Sequence, residues 1–156
     1  MRFGLTAPAP RSIPWHAKNT PARRGFVNGI QQVLDAVRFN ADGLVPAIAQ
    51  QHDSGEVLMM AWMNAQSLSE TLNSGRVCYY SRSRGQLWRK GESSGQEQTL
   101  VEMRIDCDGD TVLLLVDQKG AACHTGHRSC FYTSVRDGTL NENAPPLVSP
   151  AELYGK

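Results

Sequence analysis

The sequence predicts an α+β domain built around a mostly antiparallel sheet, with one or two short helices. Short apolar-rich runs recur through the middle of the chain, turn-forming residues separate them, and only one run has helical spacing. The chain has 156 residues, of which 40% are hydrophobic and 20% charged, so it is long enough to bury one core. This composition excludes a collagen, a coiled coil and a disordered chain.

The first two predicted strands form a hairpin. Residues 44–51 and 56–62 are apolar-rich runs. Between them, residues 53–55 read Asp-Ser-Gly, and these residue types form tight turns because they tolerate or stabilise turn conformations. The pattern therefore indicates two neighbouring antiparallel strands.

A short helix is predicted after the hairpin, over residues 65–73. Asn64 can act as its N-cap, because the short side chain can accept a hydrogen bond from a free amide of the first turn. Leu68 and Leu72 are four residues apart and would share one face. Gly75 can end the helix in a left-handed conformation.

Four further strands complete the predicted sheet. Residues 77–82, 99–106 and 111–117 have the length and apolar content of strands, and a turn over residues 107–110 joins the last two. Residues 130–135 are predicted to form the final strand.

The segments on either side of this unit differ in composition. Residues 1–34 contain five basic residues and no acid, together with four prolines, and we expect a basic flexible arm. The domain would then span residues 35–136, and residues 137–156, with three prolines, would form a C-terminal tail.

Charge and hydropathy limit the classes of partner. The net charge is +1, so the chain lacks the uniformly basic surface of a protein that coats nucleic acid. The longest apolar stretch, residues 112–116, is far shorter than the roughly 18 residues of a membrane helix. Residues 1–11 lack the apolar segment of a secretory signal. We therefore expect a cytoplasmic protein with neither a nucleic-acid nor a membrane partner.

Three carboxylates are crowded into one predicted turn. Asp106, Asp108 and Asp110 alternate along the chain and would project to one side of an extended backbone. Carboxylate oxygens are hard ligands of the kind that Mg²⁺ and Ca²⁺ prefer. The alternative is a solvated Asp-Gly-Asp hairpin turn.

The cysteine spacing does not match a zinc finger or ribbon. Cys107, Cys123 and Cys130 contain no C-x-x-C pair. Three thiolates could nevertheless hold zinc and leave the fourth tetrahedral position to water, as catalytic zinc requires. The alternative is that they are small buried side chains. Cys78 lies in a strand pattern and is read as a packed residue; a fourth thiolate from it would close the site.

Two histidines lie in the polar loop between the last two cysteines. His124 follows Cys123 and could act as a general acid or base, because an unperturbed imidazole has a pKa of about 6.5. It could also be a metal ligand. His127 is the less favoured alternative.

Hydroxyl, cationic and aromatic side chains follow one predicted strand. Their combination suits the binding of phosphate oxygens and a base, although no P-loop or Rossmann motif is present. The alternative for each charge is a solvated face. The candidate substrate-binding residues are Ser81, Arg82, Ser83, Arg84, Trp88, Lys90, Glu92 and Ser94.

Four motifs, in order, closely resemble the phosphoribosyl-AMP cyclohydrolase family of histidine biosynthesis. They read YSRSR at residues 80–84, LWRKGESSG at 87–95, DCDGD at 106–110 and CHTGHRSCF at 123–131. The likeness covers about residues 40–135.

The resemblance implies an activity and an assembly. The family hydrolyses the N1–C6 bond of the adenine ring of 1-(5-phosphoribosyl)-AMP with a zinc-activated water and so opens the ring. It forms an intertwined homodimer with one zinc and one magnesium per subunit. Many relatives carry a second, pyrophosphohydrolase-type domain, for which the tail is too short, so a single activity is expected.

The resemblance also assigns roles to residues that match its motifs. Cys107 would bind zinc together with Cys123 and Cys130 of the partner chain, and His124 would be the active-site histidine. Asp106, Asp108 and Asp110 would hold magnesium, which either bridges to a substrate phosphate or positions water. The two phosphates of the substrate give Arg82, Arg84 and Lys90 a use.

Two rival functions remain. A non-catalytic, zinc-stabilised module that binds nucleotides or single-stranded nucleic acid would have a closed metal site with Cys78 as fourth ligand. A zinc nucleobase deaminase would also attack a ring carbon with hydroxide, but its H-x-E and P-C-x-x-C elements are missing.

Overall fold

The computed structural model describes the backbone of residues 23–155 and the side chains of residues 29–155. Most of the predicted basic arm lies outside these residues. Among the described helices, none has the length and apolar character needed to cross a membrane.

The fold is α+β around a six-stranded sheet, which confirms the predicted class. The strands are β1 (Val45–Gln51), β2 (Val57–Met63), β3 (Cys78–Ser81), β4 (Gln86–Arg89), β5 (Gln98–Ile105) and β6 (Val112–Gln118). Their order is β4-β3-β2-β1-β6-β5, and every neighbouring pair is antiparallel except β1 and β6, which are parallel.

The core lies on the two strands at the centre of this sheet. In β1, Val45, Ala47 and Ala49 are fully buried, and β6 buries Val112, Leu114 and Val116 in the same alternating pattern. Because successive side chains of a strand point to opposite faces, this alternation places one set of residues in the core and the other nearer the surface.

Helix α2 (Ala65–Ser74) packs its apolar face on the sheet as predicted. The Asn64 side chain accepts a hydrogen bond from the Ser67 amide at 2.8 Å, and the Ser67 hydroxyl accepts one from the Asn64 amide at 2.9 Å. Leu68 is fully buried. Gly75 ends the helix with φ at 73°, the left-handed conformation that favours glycine.

Several elements lie where the sequence predicts none. These are helix α1 (Arg23–Ala36), strand β4, strand β8 (Thr139–Glu142) and helix α3 (Pro150–Tyr154). Strand β8 pairs with β7 (Thr133–Arg136) in a separate hairpin, so the domain boundary predicted after residue 136 falls inside that hairpin.

The last predicted strand, residues 130–135, is wrong at its start. Strand β7 begins only at Thr133. The Cys130 amide donates a hydrogen bond to the Leu58 carbonyl of β2 at 2.7 Å, so the chain at residue 130 is held against the main sheet rather than in the hairpin.

Candidate active site

The two predicted metal-binding groups lie at opposite ends of one strand. The turn that carries Cys107 precedes β6, and the loop that carries Cys123 and Cys130 follows it. A strand of seven residues spans about 20 Å, so Cys107 cannot meet the other two cysteines within one chain.

A cavity of 410 Å³ brings together much of the predicted site. Its lining includes both cysteines of the second group and five other predicted residues, which are Arg84, Trp88, Lys90, Ser94 and His124. The lining does not include Ser81, Arg82, Ser83, Glu92 or Cys107.

The two cavity cysteines form a pair of neighbouring sulfurs. Cys123 is 6% exposed. Desolvation by the surrounding protein and the adjacent Cys123 sulfur raise the pKa of Cys130 to about 12. A bound cation would stabilise neighbouring sulfurs as thiolates, and sulfur is a preferred ligand of zinc. This part of the site therefore fits two thirds of a three-cysteine zinc centre.

Backbone contacts hold the loop that carries these sulfurs. The Cys123 amide donates to the His127 carbonyl at 3.1 Å, and the Gly126 amide donates to the Cys123 carbonyl at 3.0 Å. The guanidinium of Arg128 donates to the carbonyls of Gln118 and Gly120 at 3.0 and 2.8 Å. Arg128 thus ties the loop to the end of β6.

Gly126 is required by the tight packing of this loop. Its φ is +88°, and an added Cβ would lie 1.8 Å from the carbonyl oxygen of Val148. We expect Gly126→Ala to destabilise the protein by about 1–2 kcal/mol for the left-handed backbone and by about 1–3 kcal/mol more for the overpacking. Urea unfolding measures both contributions together.

Gly138→Ala is the matched control for this prediction. Gly138 also has a positive φ, +74°, but an added Cβ would meet nothing within 4 Å. Gly138→Ala should therefore be destabilised only by the backbone contribution of about 1–2 kcal/mol. Equal losses in the two variants would show that the contact with Val148 does not matter.

The histidines of the loop have different surroundings. His124 is exposed and lines the cavity. His127 is 7% exposed, and its ring stacks on Tyr132 at 3.6 Å. His124 is therefore the one placed to reach a substrate.

Lys90 is buried beside the sulfurs. It is 5% exposed, and its Nζ donates to the Gln96 carbonyl at 3.2 Å. Burial lowers the pKa of Lys90, while the sulfurs of Cys130 and Cys123 act in the opposite direction. A charged Lys90 ammonium therefore interacts electrostatically with both sulfurs, and it also lines the space in which a ligand would bind.

The two predicted arginines have different surroundings, and only Arg84 lines the first cavity. In the first, Arg84 donates from Nε to the Ser81 hydroxyl at 3.2 Å. Arg82 instead lies over the Trp62 ring at 4.7 Å, and Trp62 lines a second cavity with Asp108 and Asp110.

The three aspartates form a tight carboxylate group. Ligand oxygens of Asp106, Asp108 and Asp110 lie within 4.8 Å of one another, and all three residues are exposed. Desolvation acts to raise the pKa of Asp106, but hydrogen bonds, first among them that from the Thr111 amide, leave it below its usual value. A low carboxylate pKa keeps the ligand ionised, as magnesium requires.

Cys78 lies outside both groups. It is fully buried in β3, and its sulfur contacts the Tyr79 carbonyl at 3.7 Å. Burial raises its pKa to about 11. A core cysteine of this kind agrees with the packed-strand interpretation and argues against a closed four-cysteine site.

Residues of the predicted tail also build the site. Leu153 and Tyr154 line the first cavity, and Glu142 accepts a hydrogen bond from His127. A sequence signal for α3 exists: Ser149 and Glu152 form a capping box, which is a helix-start signature.

Comparison with known proteins identifies the family. The family model described as phosphoribosyl-AMP cyclohydrolase matches residues 59–132. A phosphoribosyl-AMP cyclohydrolase of Paramagnetospirillum magneticum is 70% identical over 124 residues, which are 80% of this chain and 94% of the relative. The chain belongs to the phosphoribosyl-AMP cyclohydrolase family.

Two further cyclohydrolases show similar coverage. The protein of Halorhodospira halophila is 64% identical over 138 residues, 88% of this chain and 97% of the relative. The protein of Granulibacter bethesdensis is 63% identical over 127 residues, which are 81% of this chain and 99% of the relative. The family match at residues 59–132 includes every residue predicted for the cyclohydrolase site and confirms the predicted family.

Proposed function

We propose that this enzyme hydrolyses the N1–C6 bond of the adenine ring of 1-(5-phosphoribosyl)-AMP and so opens the ring in the biosynthesis of L-histidine. The observation that carries the proposal is the first cavity, which places two cysteines, a histidine, an arginine and a tryptophan around one space. Its volume of 410 Å³ is within the usual range for small-molecule sites.

The proposed metal centre is shared between two copies of the chain. Cys123 and Cys130 would hold one zinc ion per subunit together with Cys107 of the other copy, because Cys107 lies beyond reach in its own chain. When bound, zinc supplies a water that is activated at neutral pH. The assembly is accordingly a homodimer.

The remaining cavity residues orient the substrate and move protons. His124 can take a proton from the attacking water or return one to the departing N1, since it is exposed and lines the cavity. The half-buried Trp88 offers a ring face to the purine base. Arg84 and Ser94 would bind phosphate and hydroxyl oxygens.

We further propose that the aspartate group binds one magnesium ion per subunit. Asp106 and Asp108 flank Cys107 in sequence. A Cys107 that reaches the partner's cavity therefore brings both carboxylates towards the same place. At that position a magnesium ion held by the aspartates would either bridge to a phosphate of the substrate or position a water molecule.

The function is tested with the purified full-length protein and 1-(5-phosphoribosyl)-AMP. Ring opening changes the ultraviolet absorbance of the base, and we expect turnover that stops on chelation and returns when zinc is added. Absence of turnover by the zinc-loaded protein would contradict the proposed function. Turnover that survives complete zinc removal would contradict the metal centre alone.

Arg84 provides a prediction for phosphate binding. A hydrogen bond to a charged group contributes about 1.5–3 kcal/mol, so Arg84→Met should raise KM by roughly 10- to 100-fold and change kcat much less. Arg104→Met is the control, because Arg104 is also an exposed arginine; it pairs with Glu102 on β5 and does not line the cavity. An unchanged KM in Arg84→Met would remove Arg84 from the binding site.

A further inference from the structure

A continuous line of hydrogen bonds leads from a cavity cysteine to the surface of the hairpin. The Cys123 sulfur lies 3.0 Å from the Thr125 hydroxyl, which lies 2.8 Å from Nδ1 of His127. Nε2 of His127 lies 2.9 Å from a carboxylate oxygen of Glu142. Tyr132 covers the His127 ring in a parallel stack.

The Thr125 hydroxyl lies between the Cys123 sulfur and the His127 ring and can form a hydrogen bond to each. A thiolate can only accept, so the Thr125 hydroxyl donates its single hydrogen to sulfur. The Thr125 oxygen can then accept a hydrogen bond from Nδ1 of His127, and the Glu142 carboxylate can accept one from Nε2. Each member of the line thus has a hydrogen-bond partner on the side away from the sulfur.

The fold holds the outer members of the line. His127 is buried, so its ring has little freedom to rotate. Glu142 lies at the end of β8, where it pairs with Thr133 of β7. The β7–β8 hairpin therefore delivers a carboxylate to the loop that carries the cavity sulfurs, although the hairpin itself does not line the cavity.

We propose that Thr125, His127 and Glu142 form a positioning chain that orients the Cys123 sulfur for metal binding. The proposal rests on the proposed zinc centre, and it gives His127 a role distinct from that of His124. None of the three residues needs to contact the substrate. Outer groups that orient a metal ligand typically contribute about 10- to 100-fold to metal affinity.

The test is zinc affinity, measured by competition with a chelator on the full-length protein. Thr125→Val has the same shape but no hydroxyl, and we expect its zinc affinity to fall about 10- to 100-fold. Thr125→Ser keeps the hydroxyl and should restore most of the affinity. In cobalt-substituted protein, the sulfur-to-cobalt absorption band should shift in Thr125→Val and remain in Thr125→Ser.

A second pair of variants tests the positioning chain at Glu142, the member farthest from the Cys123 sulfur. Glu142→Ala should also weaken zinc binding, whereas Asn141→Ala should not, because neighbouring strand residues point to opposite faces. This pair keeps the test decisive if Thr125→Val does not fold. Glu142→Ala with wild-type zinc affinity, or an equal loss in Asn141→Ala, would overturn the positioning chain.

The outcomes distinguish failure of the positioning chain from failure of the proposed zinc centre. Wild-type protein that binds no zinc through Cys123 would overturn both. Wild-type protein that binds zinc, with Thr125→Val and Glu142→Ala binding it equally well, would overturn the positioning chain and leave the zinc centre intact.

Discussion

Cys123→Ala should lose ring-opening activity by more than about 100-fold while the protein stays folded. Loss of an outer group around a metal typically costs 10- to 100-fold, and removal of a direct ligand should cost more. The variant removes one of two neighbouring sulfurs in the cavity. Ultraviolet absorbance measures the rate, zinc content measures the metal, and circular dichroism verifies the fold.

Cys78→Ala is the matched control for the loss of a buried thiol. Cys78 is fully buried in β3 and does not line the cavity. We expect a loss of roughly 1 kcal/mol in the free energy of unfolding, with turnover and zinc content retained. Cys123→Ala that turns over near the wild-type rate would exclude Cys123 as a metal ligand.

Mixed dimers should recover activity from two inactive variants. If each centre combines Cys107 of one copy with Cys123 and Cys130 of the other, a dimer of Cys107→Ala and Cys123→Ala chains contains one intact centre. Random pairing makes half of the dimers mixed, and each has one of two sites, so we expect about a quarter of wild-type activity. Co-expression of the two chains with different tags provides the mixture.

The mixture of Cys123→Ala and Cys130→Ala is the control. Both substitutions damage the same half of the centre, so no pairing restores an intact one, and this mixture should stay inactive. Lack of recovery in both mixtures would contradict a centre shared between subunits. The physical basis of the prediction is the length of β6, which separates Cys107 from the other two cysteines within a chain.

Strands β1 and β2 and helix α2 were predictable because their sequence signals are local. The turn at residues 53–55, the Asn64 cap and the Gly75 stop each act within a few residues, and the structure agrees with them to within one or two positions. Strand β4 was not predictable in the same way. Its four residues carry a mixed polar sequence, and it is stabilised by pairing with β3 rather than by its own pattern.

The candidate site was predictable in its residue types and only partly in its membership. Seven of the predicted residues line the cavity, but Arg82 lies beside Trp62 instead. The predicted tail contributes Leu153, which is buried and lines the cavity together with residues that are distant in sequence. No local pattern reports such contacts.

By itself, the sequence determined the class of fold, the positions of most strands, the family and the chemical types gathered in its motifs. These follow from periodicity, capping and short motifs, which are written along the chain. Only the tertiary structure decided which of these groups meet. The tertiary structure gathers Arg84, Trp88 and the cysteine loop around one cavity, and the hairpin from the predicted tail brings Glu142 to His127. Such meetings depend on strand order and packing between distant segments, which no local pattern specifies.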